Sequence, residues 1–119
     1  MRSEAHKPKE YDYNHVAAAL AVLAAIAASD ALCCALLGDR SRGQDHREAA
    51  DLLAQVRFGE GNAEAQSKRA NELAAALAGA LDVKVESHYG TKALGVDQVR
   101  RGMRAANRLV SAASEVTRK

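Results

Sequence analysis

From Val16 to Leu37 the chain runs for 22 residues with a single charged side chain, Asp30, and alanine is its commonest residue. A run of this kind restricts the fold to a membrane span or a helix packed among other helices. Its length approaches the ~20 residues a span needs. Alanine, however, is a weak insertion residue, and Asp30 would cost about 2.5–3.5 kcal/mol near a bilayer centre. No cleavage-site pattern follows it, as one would after a signal peptide. The expectation is therefore a core helix of a cytoplasmic protein, with no membrane partner.

Leu20, Leu23, Ala27, Asp30, Cys34 and Leu37 fall at spacings of three and four on one face of this helix, and Val22, Ile26 and Cys33 line a neighbouring face. A helix apolar most of the way round is expected to lie buried at the centre of its fold. Asp30 would then need a partner, because an unpaired buried carboxylate is strongly disfavoured. Gly38 stands where a C′ glycine ends a helix.

The chain has 119 residues, one domain's worth, of which 48% are hydrophobic and 3% aromatic. With so few aromatic and β-branched side chains a strand-rich core is excluded, and alanine must supply much of the interior. The class expected is all-α. A net charge of +2 permits an anionic partner without requiring one. Cys33 and Cys34 are adjacent, about 100° apart on a helix, so they do not readily bridge each other. They also lack zinc-site spacing, and are read as reduced thiols. No metal or other cofactor is expected.

Residues 1–12 read as a flexible polar tail and residues 13–117 as the bundle. The first helix is expected to start near Tyr11–Asn14, with Asn14 as a cap. Asp39 to Gln44 forms a charged turn, and Gln44 or Asp45 caps a second helix whose inner face is Ala49, Leu52, Leu53 and Val56. Gly59-Glu-Gly61 breaks it. A third helix is expected from about Asn62 to Val85, with Ala70, Leu73, Leu77, Ala80 and Leu81 inside and Gly79 as a packing glycine. Ser87 to Gly90 closes it. A fourth helix beginning at Asp97 presents Val99, Met103, Ala106, Val110 and Ala113 as its seam. Four helices with short connections predict an antiparallel four-helix bundle with a long buried first helix.

Three polar clusters stand out. Asp30, Arg40, Arg42 and His46 fall within seventeen residues around the first turn. A carboxylate-oriented imidazole beside guanidinium groups binds phosphate or moves a proton. A salt bridge between Asp30 and Arg42 that pins the turn is the structural alternative. Lys84 and His88 lie four apart at the end of the third helix, where the dipole favours imidazolium, and Tyr89 adds a ring or hydroxyl. Lys84 and Tyr89 are candidate RNA-binding residues. On the fourth helix Arg100, Arg104 and Arg108 step at four, a line suited to tracking phosphates or simply a solvated face.

The Ala-Ser-Asp30-Ala segment, the turn from Gly38 to His46, the Lys84-Val-Glu-Ser-His-Tyr-Gly90 segment and the closing Ala-Ala-Asn-Arg-Leu-Val110 helix together resemble the HEPN superfamily, in particular its short actinobacterial members. These are small four-helix bundles found in prokaryotic defence and toxin–antitoxin systems, and the resemblance covers Asn14 to Val116. It implies a homodimer and a metal-independent endoribonuclease with an Arg-x4–6-His motif, in which histidine activates the ribose 2′-hydroxyl and arginine stabilises the phosphorane. Arg40-x5-His46 has that spacing but lies between the first and second helices. Lys84-x3-His88 lies nearer the expected place, with lysine for arginine and a shorter gap. The resemblance makes His46 or His88 the base, Arg40, Arg42 and Lys84 the phosphate ligands, and Asp30 the residue that orients them. The alternative is a non-catalytic bundle whose partner is a protein, such as the cognate component of a two-gene system.

Overall fold

A computed structural model describes the backbone of residues 10–39, 46–59, 61–89 and 95–118, and the side chains of the same residues except 10–12, 46 and 84–89. The described residues form four helices: α1 (Glu10–Leu37), α2 (His46–Leu53), α3 (Ala63–Tyr89) and α4 (Val96–Thr117). The fold is an all-α bundle.

Local chemistry sets the ends. Gly38 adopts a left-handed φ of 73° and its N–H donates to the Cys34 carbonyl at 3.1 Å, which ends α1 as an αL cap. Asn62 caps α3 by accepting from the Ala65 N–H at 2.8 Å. The Gln98 side chain accepts from the Gly95 N–H at 3.0 Å, the return half of a capping box for α4. α3 continues four residues past the expected Val85, through Tyr89. No glycine or proline lies between Val85 and Gly90.

The helix senses follow from a few contacts. Arg69 and Glu115 pair at 2.6 Å, Arg108 and Glu72 at 3.4 Å, and the Cα of Gly102 faces Val83, so α3 and α4 are antiparallel. Gly102 also faces Ala21, and Val99 clusters with Ala18 and Val22. The later residues of α1, from Ala25 to Cys33, join the core with Ala105 to Ala113. That succession makes α1 and α4 run in the same direction. α1 packs against all three other helices and most extensively against α4, while short α2 lies mainly on α3.

Two expectations about faces need correction. α1 buries Ala18, Ala21, Val22, Ala25, Ala28, Ser29, Leu32 and Cys33, but Leu20 and Leu23 are each 62% exposed. Ala27 and Cys34 are also exposed and Asp30 is half-buried, so the stripe expected to face inward faces out. On α4 the buried face is Val99, Gly102, Ala105, Ala106, Leu109, Ala112 and Ala113, whereas Met103 and Val110, expected in the seam, are exposed. The reason is the same in both helices. Close approach of two backbones favours the face with the smallest side chains, and the bulkier apolar residues are left outside. Gly79 is not a packing glycine either, since a Cβ there would meet nothing within 4 Å.

Candidate functional site

The described part of the first cluster lies at the C-terminal end of α1. Ser29 is buried and hydrogen-bonds the Cys33 thiol one turn later. Burial pushes that thiol up to about 11 from 9.0, and the Asp30 carboxylate adds to the rise. Cys33 is therefore a protonated core thiol and an unreactive one, while its neighbour Cys34 is exposed. Arg40 and Arg42 lie outside the described residues. His46 is the first residue of α2, and its side chain is outside them as well. Because Asp30 is half-buried, the strong need for a buried partner argued from the sequence is relaxed.

Lys84, His88 and Tyr89 occupy the last turns of α3, and their side chains too are outside the described set. Their position along the bundle is fixed by Val83, which faces Gly102 beside Ala21 of α1. From the level of Ala21 to that of Asp30 is nine residues, and α3 carries His88 five residues further the other way. At 1.5 Å per residue the two clusters are about 20 Å apart along the axis. One copy of the chain does not bring Asp30 and His88 together.

The arginines of α4 divide. Arg108 pairs with Glu72, both about half exposed. Arg100 and Arg104 are exposed and make no ion pair among the described residues. Two exposed guanidinium groups one turn apart can hold a polyanion by charge alone, without an aromatic platform. Among the described residues no group of three or more His, Cys, Asp or Glu side chains is placed to hold a metal ion.

Sequence reasoning missed two features. Arg69 stacks its guanidinium 4.0 Å from the centre of the Phe58 ring while pairing with Glu115, which ties the segment after α2 to α3 and α4. Nothing in the spacing of these residues signals the contact. The second is the outward face of α1, where Tyr13, Val16, Leu20 and Leu23 are about 60% exposed and Leu37 36%. Here the signal was present as an uninterrupted three–four spacing, and only its direction was misjudged. Tyr13–Leu37 is also long and apolar enough to cross a bilayer, a test that core helices of soluble proteins and signal sequences pass as well. No protein-family model, curated protein or solved structure matches the chain.

Proposed function

We propose that the protein is a non-catalytic interaction module that docks a protein partner on the outward face of α1. The observation that carries this reading is the row of exposed large apolar side chains Tyr13, Val16, Leu20 and Leu23 on a helix whose opposite face is buried. Clustered exposed apolar side chains mark interaction sites. The test is cross-linking of the full chain in the cells it comes from, beside a Leu20→Glu/Leu23→Glu variant. Both positions are exposed, so the variant keeps its fold. Cross-linked species that vanish in the variant are expected. An unchanged cross-linking pattern would sink the reading.

A second reading, a HEPN-like bundle that binds RNA and cleaves it without metal, is favoured by Arg100 and Arg104, which are exposed and make no ion pair among the described residues. Here His46 or His88 is the base. Incubation with mixed RNA in excess chelator, beside His46→Ala and His88→Ala, tests it: 2′,3′-cyclic ends lost in one variant support cleavage. For binding, affinity falls with salt, and Arg100→Gln with Arg104→Gln lowers the salt slope by about 1.4 if the RNA is single-stranded. Arg108→Gln changes it less, because Glu72 already offsets that charge. Salt-independent or undetectable binding removes the reading.

A further inference from the structure

The outward face of α1 has a period as well as a polarity. Positions 13, 16, 20, 23, 27, 30, 34 and 37 step by three and four without a break, which is the a/d pattern of a heptad repeat. Beside it, Ala17, Ala24 and Ala31 occupy the same flanking position in three successive heptads, half-buried against the chain's own core. We propose that this face seats α1 of a second copy of the same chain, in antiparallel. The proposal rests on the docking reading above and names its partner.

Self-complementarity favours a second copy. In an antiparallel pairing centred between Leu23 and Ala27, Leu23 meets Ala27, Val16 meets Cys34, Leu20 meets Asp30 and Tyr13 meets Leu37 of the other copy. Leu23 and Val16 thus meet smaller side chains, while Leu20 meets a carboxylate that has to stay solvated at the edge of the seam.

Charge fixes the direction. A parallel pair would set Asp30 against Asp30. The antiparallel pair moves the two carboxylates ten residues apart, about 15 Å along the axis, which exceeds the Debye length of about 8 Å in physiological salt. The same charges disfavour a lipid surface. Tyr13 to Leu37 contains no lysine or arginine to meet anionic headgroups, and its one charge is an acid.

The area limits the strength. Twenty-four rises of 1.5 Å give a stripe about 36 Å long and about 10 Å wide, or some 360 Å² in projection. Accessible area exceeds projected area. In projection the stripe is a little under half of the ~800 Å² per partner of a standard interface, which puts the pairing at the weak end.

Light scattering or sedimentation of the purified full-length protein across a dilution series is the first measurement. A mass twice that of the 12.6 kDa chain is expected, falling to the single-chain mass in Leu20→Glu/Leu23→Glu with helicity unchanged. Direction is read by oxidation. The Val16→Cys variant should give a covalent dimer with the introduced thiol joined to Cys34 of the other copy, and the unmodified protein should give no Cys34–Cys34 link. A monomeric protein, a dimer that survives both glutamates, or a Cys34–Cys34 link in the unmodified protein would each overturn the proposal. So would a monomer that binds neutral phosphatidylcholine vesicles through Leu20 and Leu23. If the purified chain is a monomer while cross-links in cells still depend on those leucines, the second copy is excluded and the docking reading stands. If neither depends on them, both fall.

Discussion

Cys33 and Cys34 are one residue apart and about 100° apart around α1, and that angle gives them different chemistry. Cys33 points into the core, where burial and the nearby Asp30 carboxylate hold its thiol up at about 11. Iodoacetamide should modify Cys34 in the folded protein and Cys33 only after unfolding, with peptide mapping as the check. The Cys34 rate should rise further in Leu20→Glu/Leu23→Glu, where the stripe no longer has a partner. The raised value also fixes the sign of a pH effect. In the unfolded chain the thiol ionises near 9.0, so the stabilising contribution is full below that pH and is lost as pH rises toward about 11. A shift of two units corresponds to at most about 3 kcal/mol. Urea titrations should show this alkaline loss in the wild type and its absence in Cys33→Ala. Equal slopes with pH in the two proteins would show that Cys33 is solvated. Ser29, the hydroxyl that hydrogen-bonds this thiol, lies one turn before Cys33 in the sequence. That spacing was visible there, but its burial was not.

At the scale of the element, α4 shows how alanine-rich helices choose a face. Its buried side is built from Gly102, Ala105, Ala106, Leu109, Ala112 and Ala113 with Val99, and Met103 points out at 48% exposure. Leu109→Ala should cost about 2–5 kcal/mol, because it opens a cavity in a closed core. Met103→Ala should cost well under 1 kcal/mol in the single chain, since it empties only surface. Chemical denaturation distinguishes them, and comparable losses would return Met103 to the seam. The four helices and the αL ending at Gly38 were legible because cap and turn residues act locally, whereas the second helix stops at Leu53, before Val56 and six residues ahead of the Gly59–Gly61 pair expected to break it. Which face turns inward was not. A three–four spacing describes two overlapping stripes on both α1 and α4, and the choice between them is made by how closely two backbones approach, a property of the pair rather than of either helix. The candidate site was legible as residue types only. The sequence places Asp30 near His46 and leaves His88 unassigned in space, whereas the antiparallel course of α3 puts His88 toward the opposite end.

For the molecule as a whole the exposed stripe is a question of stability as much as of recognition. Among the described residues ten of the 21 buried apolar ones are alanine, while Leu20 and Leu23 stand outside. Fully burying a leucine contributes about 1.5–3 kcal/mol, and each copy has more than half of that to gain at both positions. Pairing two copies would thus add several kcal/mol of apolar burial, set against an association cost of about 4–15 kcal/mol. The four leucines alone offset only the lower part of that cost, so the pairing depends on the rest of the stripe as well, and mass action links folding to assembly. The Tm of the wild type should rise with protein concentration. In Leu20→Glu/Leu23→Glu it should be lower and independent of concentration. Calorimetry over a dilution series reads both. A wild-type Tm that stays flat, and equals that of the variant, would mean that one copy already completes the fold and that the apolar face of α1 contributes nothing to its stability through self-pairing.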